Sequence, residues 1–287
     1  KLNRLIAALL VLAVIYFGVD KFYLAPKREA ALVKQTKQAI TEQVASQEKS
    51  ENEKSIAVLA FENRSADKAN EYFSDGVAEE ILNSLAKVKD LKVAGRTSSF
   101  FFKGKNENLT TIGKTLGVAH VLEGSVRKQG DKLRITAQLI RVSDGFQIWS
   151  ENFEGTDADI FALQEKIARQ VTSELKVALN AGQQSQLIDT GTSSPEAYAL
   201  YLQATAIFNR RDTAQYQDAV AALQKALALD PKYARAHSRL ATLHATLGAY
   251  MDIDYGLSNA KAIAEANAAL ALDPSLAEPH AVLGLTY

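Results

Sequence analysis

The chain has 287 residues, 33 Lys plus Arg against 33 Asp plus Glu, and a 47% hydrophobic content. That fits about two folded units and excludes a chain disordered throughout, and the zero net charge removes any bulk argument for nucleic-acid binding or an acidic tail. There is no Cys, so disulfides, zinc–thiolate sites and cysteine nucleophiles are excluded, while the cytosol and the periplasm suit the chain equally.

The chain opens on an apolar run. Leu5–Val19 carries no charge. It is short of the roughly 20 residues that span a bilayer, but its flanks compensate. Arg4 and Lys21 can snorkel towards head groups, and Tyr16, Phe17, Phe22 and Tyr23 cluster where an interfacial aromatic belt sits. A cleaved signal peptide needs a pair of small residues after the core, and Ile15–Phe22 supplies only Gly18. A buried helix is the plainer alternative. The reading is a single transmembrane anchor over 1–25, with Leu5, Leu9, Leu12, Ile15, Tyr16 and Phe17 in the bilayer. The Lys and Arg count near the run tips weakly towards a cytoplasmic C-terminal side. Residues 26–54 are polar and rich in Ala, Gln, Glu and Lys, with a thin apolar stripe at Ala30, Val33, Ile40 and Val44. They read as a helical stalk.

Residues 55–181 read as an α+β domain. Ser55–Phe61 is a buried strand. Asn70–Val88 is a helix with Tyr72, Val77, Ile81, Leu82, Leu85 and Val88 on its apolar face. Leu91–Gly95 is a second short strand, and Leu109–Leu116 a short helix stopped by Gly117. A meander follows: His120–Arg127, a turn at Gln129–Asp131, Leu133–Val142, a hairpin turn at Ser143–Gly145, and Phe146–Phe153. Asp157 or Asp159 caps a long helix, Ile160–Leu179. The order β-α-β-α-β-β-β-α predicts a mixed sheet with helices on one face.

The stretches SIAVLAFENRSADKANEYFSDGVAEEILNSLAKVKDLKVAGRTSSFFFKGK and LGVAHVLEGSVRKQGDKLRITAQLIRVSDGFQIWSENFEG closely resemble the TolB-like amino-terminal domain. That domain recurs in bacterial membrane-anchored transcriptional regulators and adenylate cyclases, ahead of tetratricopeptide repeats. The resemblance covers Ser55 to Leu179. It implies an upstream cytoplasmic winged-helix or cyclase domain, a soluble part on the periplasmic side of the inner membrane, and nothing catalytic for the matched residues.

A polar linker at 182–194 leads into an Ala-rich helical segment, 195–287. Self-similarity is direct in KALALDPKYARAH and AALALDPSLAEPH, whose Pro231 and Pro274 are 43 positions apart. A helix pair of about 34 residues with small residues and a closing Pro is the tetratricopeptide pattern, so an all-α solenoid of about two and a half repeats is predicted. Ala219, Leu223, Ala226 and Pro231 take the second-helix positions of repeat one. Leu240 and Ala241, then Ala262, Ala266, Ala269 and Pro274, serve repeat two, and Leu283, Gly284 and Tyr287 begin a third. The excess length of repeat two is assigned to an insertion at Tyr250–Ser258. Because the pattern runs into Tyr287, further repeats are expected beyond it.

No enzyme is read in this segment. Gly113-Lys114-Thr115 mimics the end of a phosphate loop, but Asn108 stands where its first Gly belongs. His237 and His244 are two helical turns apart, too far to share a metal, and His237 and His280 occupy matching repeat positions, which points to packing. Trp149 reads as a half-buried sheet aromatic. Glu79 and Glu80 are adjacent and read as solvated. No catalytic residue, cofactor or metal is assigned. What remains is protein binding in the concave groove of the repeats. The groove candidates are Tyr198, Tyr201 and Phe208 from repeat one, with Arg235, Ser238 and Thr242 from repeat two, because Tyr and Arg are favoured binding anchors. The alternative for Phe208 is packing within its own repeat or on the TolB-like domain. Protein partners, a homodimer or a place in a membrane complex are left open, with no nucleic acid bound by this segment.

Overall fold

The computed structural model describes residues 53–177, 190–250 and 254–286. The predicted anchor at 1–25, nearly all of the stalk and most of the linker lie outside them. Among the described residues no helix is long and apolar enough to cross a membrane.

Strand β1 (Ser55–Val58) is buried along its whole length. Its alternating side chains feed two different layers. Ile56 and Val58 join the main core, and Ala57 faces a smaller cluster on the other side. Helix α1 (Glu71–Ala86) follows and buries Phe73, Val77, Ile81, Leu82 and Leu85. Strand β3 (Lys92–Val93) then pairs parallel with β1. After helix α2 (Arg96–Phe100) comes α3 (Leu109–Leu116). The Asn108 side chain accepts from the Thr110 amide at its start, and Gly117 at φ 68° stops it. Glycine takes that left-handed end without the strain that a Cβ brings.

The meander is as predicted in kind and longer in extent. Strand β4 (His120–Gln129) lies parallel to β1 and antiparallel to β5 (Lys132–Arg141), which pairs antiparallel with β6 (Gln147–Thr156). The order is β3-β1-β4-β5-β6, with the two-residue β2 (Glu62–Asn63) also paired to β4. Helix α4 (Ile160–Glu174) returns over the sheet. A capping box joins Thr156 and Asp159 at the preceding turn. The helix stops short of the predicted Leu179, with Lys176 at φ 52°.

One expectation is corrected. The helices are not on one face. Ile112 of α3 packs with Ala57, Val121 and Val142, whereas α1 and α4 pack with Ile56, Leu122 and Ile135 on the opposite face. Amphipathicity tells a helix that it must cover something, not which side of a sheet to cover. Gly113 shows how close this second layer lies. A Cβ there would overlap a Val142 methyl, so the residue that mimicked a phosphate loop serves helix-on-sheet packing.

Gly124 in β4 is similarly constrained. An added Cβ would meet the Thr136 carbonyl oxygen at 2.5 Å and the Phe61 ring at 2.8 Å. Neither can retreat, because one is backbone of the paired strand and the other is a fully buried ring. Gly124→Ala is expected to cost about 1–3 kcal/mol by overpacking. A urea midpoint unchanged from the parent would contradict this.

The repeats are helix pairs. Helices α5 (Pro195–Asn209) and α6 (Tyr216–Leu229) form the first, α7 (Ala234–Tyr250) and α8 (Tyr255–Leu272) the second, and α9 (Ala277–Thr286) follows. Ala219, Leu223, Ala226, Ala262, Ala266 and Ala269 are fully buried, as the repeat pattern requires. Pro231 and Pro274 each follow a helix end by two residues. The extra length of repeat two goes largely into its helices, of 17 and 18 residues against 15 and 14 in repeat one. The linker's end is tied down. Thr192 Oγ1 donates to Asp230 at 2.6 Å, and the Ser194 hydroxyl accepts from the Ala197 amide to cap α5.

Candidate functional site

The face of the repeats that should be concave and open is covered. A single hydrophobic cluster runs from Ile56 through α1 and α4 into Tyr198, Leu202, Tyr233 and Leu247 of the repeats. The α+β domain and the first repeats share one core. The close approach depends on Gly76 of α1, where an added Cβ would lie 2.6 Å from both Leu202 methyl carbons.

Each predicted groove residue is engaged within the chain. Tyr198 is fully buried, its hydroxyl accepts from Gln164 Nε2 at 2.7 Å, and its ring meets Phe161 edge-on. Burial holds the Tyr198 phenol well above its ordinary pKa. Tyr201 packs on Tyr233 at 5.2 Å between ring centres, and the Arg235 guanidinium lies 5.3 Å from the Tyr201 ring. Phe208 stacks on Tyr216 of its own repeat, the packing alternative considered for it. Ser238 is buried and donates to Glu278, and Thr242, half-buried, donates to the Ser238 carbonyl.

Arg235 makes the decisive contact. Its two terminal nitrogens donate to the two oxygens of Glu80 at 2.8 and 2.5 Å. The Glu80 side chain is only 5% exposed. This corrects the reading of Glu79 and Glu80 as solvated. Adjacent residues point to different sides of a helix, and here both sides are occupied. Glu80 reaches into the repeats. Glu79 accepts from Arg96 of α2 at 2.7 Å and, at 3.4 Å, from Asn209 of α5. One turn further on α7, Arg239 is 8% exposed, lies over the Phe208 ring and reaches Glu278 at 3.2 Å.

Beside this contact opens a cleft of about 270 Å³, lined by Asp75, Glu79, Arg96, Lys103, Thr205 and Asn209 among others. Lys103 bridges Glu71 at 2.5 Å and Asp75 at 2.7 Å. Burial raises the carboxyl pKa of both Asp75 and Glu79 even though Lys103 and Arg96 act in the opposite direction. The repeat register did not point to Glu79, Glu80, Gln164 or Tyr233, which meet the predicted groove residues here. The available signal was Gly76, a glycine inside a helical pattern, which marks close packing.

The histidines do not gather. Among the described residues no group of three or more His, Cys, Asp or Glu is placed to hold a metal. His280 is exposed, so the packing inferred from its match to His237 does not hold for it. His237 Nδ1 lies 2.6 Å from a Glu265 oxygen and its Nε2 3.2 Å from the Pro231 carbonyl. Both contacts favour the protonated ring, and Glu265 raises the His237 pKa above its usual value. The pair's contribution is therefore complete below about pH 6.5 and is lost as pH rises through the higher folded value. His237→Gln is expected to cost about 1 kcal/mol at pH 5.5 and less at pH 9. Urea midpoints at the two pH values check it, and an equal loss at both would refute the assignment.

Comparison with known proteins returns the same two parts in the same order. Residues 52–170 match the family described as the second domain of HilA/YgeH-like transcriptional regulators, and residues 210–248 match the tetratricopeptide repeat. These fit the TolB-like domain and repeats read from the sequence. A Rhizobium meliloti protein named "Putative adenylate cyclase 3" is 38% identical over 192 residues, 67% of this chain. The chain spans only 33% of that relative's length. Among solved structures, the LpoB C-terminal domain from Salmonella enterica aligns with 37% of this chain and 84% of its own, at 19% identity and a TM-score of 0.31. TolB from Acinetobacter baumannii aligns with 42% and 28%, at 15% identity and a TM-score of 0.32.

Proposed function

We propose that this chain is the non-catalytic, partner-sensing part of a larger bacterial regulator, in which a protein bound by the repeats is reported through the TolB-like domain to an output domain elsewhere. The supporting observation is the bidentate Glu80–Arg235 pair set in a core common to both parts. A change at Arg235 of α7 acts directly on α1, because the pair joins the two helices. The matched regulator domain and the repeat match agree with an input role. The proposed partner-facing residues are Tyr198, Tyr201, Phe208, Arg235, Ser238 and Thr242, of which Phe208, Arg235 and Thr242 are partly exposed.

The reading includes a single-pass anchor at 1–25 in the inner membrane and a soluble part on its periplasmic side. Protease protection on sealed vesicles tests the placement, and digestion from the cytoplasmic face overturns it. A pull-down from detergent-solubilised membranes with the full chain as bait tests the function. One protein recovered at fixed stoichiometry, and lost with Thr242→Arg, is the expected result. Recovery of no specific protein counts against it. A constant place in a large membrane complex would favour the accessory-subunit alternative.

The cyclase-named relative favours a second reading, in which the output domain is an adenylate cyclase. The chain itself is then expected to produce no cyclic AMP from ATP. Turnover by the purified chain would overturn its non-catalytic assignment.

A further inference from the structure

Seven buried side-chain atoms among the described residues have no hydrogen-bond partner, and four of them lie along the contact between the α+β domain and the repeats: Gln164 Oε1, Thr205 Oγ1, Tyr233 Oη and Arg239 Nε. A buried polar atom left unpaired costs free energy that water would otherwise supply. A permanent core has no use for such atoms. A surface that is also exposed to water, or to a second partner, does, because each atom is satisfied in the other state.

The covering element has its own chemistry. Helix α1 buries one side against the sheet through Val77, Ile81 and Leu85. Its other side meets the repeats through three groups: Gly76 seated on Leu202, Glu79 near Asn209, and Glu80 in the fork of Arg235. The repeat face meets it with Leu202, Asn209 and Arg235, and Arg235 lies against the Tyr201 ring, which packs on Tyr233. A cation backed by aromatic rings is suited to a helix carrying acids.

We infer that α1 is an internal ligand of the repeats, which covers their partner-binding face and is displaced by an acidic amphipathic helix of a partner protein that presents the same adjacent carboxylates one turn after a small residue. This rests on the partner-binding role proposed for the repeats and deepens it. The partner binds by taking over Arg235 and by pairing atoms that α1 leaves unpaired. Without a partner the two parts stay closed, and the uncovered state is a minor population that an acidic helix stabilises.

Native-state hydrogen exchange on the full chain in detergent micelles tests the opening without any partner. Amides of α5 and α7 should exchange at least tenfold faster than those of β4 and β5. Glu80→Gln should speed α5 and α7 by about tenfold more and leave β4 and β5 unchanged. The exchanged pair Glu80→Arg with Arg235→Glu should return the parent rates. A staple provides the converse. The chain has no Cys, and a Cβ at position 76 would stand 2.9 Å from Leu202 Cγ, where a cysteine sulfur would lie. That is within reach of a disulfide, whose Cβ atoms lie about 3.8 Å apart. Gly76→Cys with Leu202→Cys, once oxidised, should slow α5 and α7 to the rate of the sheet, and reductant should reverse it. Rates in α5 and α7 that equal those of β4 and β5, and that move together with them in Glu80→Gln, would overturn the opening.

The acid preference is tested with a synthetic peptide of the α1 sequence, residues 71–86. In excess it should accelerate α5 and α7 in the parent chain and not in the oxidised staple. The same peptide with Gln at positions 79 and 80 should need at least tenfold higher concentration. Equal potency of the two peptides, or no effect of either, would refute the proposed partner chemistry. A failed pull-down leaves these experiments intact, and coincident exchange rates leave partner capture at other surfaces intact, so the two readings fail separately.

Discussion

Glu80→Ala is expected to destabilise the chain by about 3–5 kcal/mol, the range for removing one partner of a buried ion pair. The mechanism is specific. Arg235 loses its two contacts to Glu80, and its guanidinium stays in a site where water is largely excluded. Removing one partner of a buried pair costs more than the pair itself contributed. Replacing both residues by Met is therefore expected to be far milder than Glu80→Ala alone, because it removes the stranded charge together with its partner. Urea unfolding followed by circular dichroism measures both. A double variant as unstable as the single one would mean that side-chain volume, not charge, governs the site.

Much of this architecture is legible in the residues. Alternation gives the meander, and glycine and proline mark where elements stop, as Gly117 and Pro231 do. The small residues of the second repeat helices identify their own positions, because only they allow such close helix pairs. That the predicted groove residues are occupied from within the chain is not legible. The partner of Arg235 lies 155 positions away along the chain, and no local pattern encodes that distance. Glu80 illustrates the same limit. Acids beside one another on a helix are usually solvated, since charged residues are rarely buried unless paired. The sequence offers no view of the pairing, and only Gly76, a glycine inside a helical pattern, hints that another element packs close, here the Leu202 side chain.

Tyr198→Ala is expected to cost about 3–5 kcal/mol, as for other large buried aromatics, with the thermal midpoint falling by about 10 °C for a chain of this size. Tyr198 sits where Phe161 of α4 and the first repeat helix meet, with no exposed surface. Its loss opens a cavity between α4 and α5. Tyr198→Phe separates the two contributions. It keeps the ring and removes the hydroxyl, so Gln164 Nε2 loses its acceptor while Gln164 Oε1 is already unpartnered. A cost of about 1–3 kcal/mol is then expected from the stranded amide. Because the amide is uncharged, that cost should not change between 50 mM and 500 mM salt. If Tyr198→Phe proves as damaging as Tyr198→Ala, the hydrogen bond rather than the ring holds the repeats to α4, and the contact is a polar latch instead of a packed core.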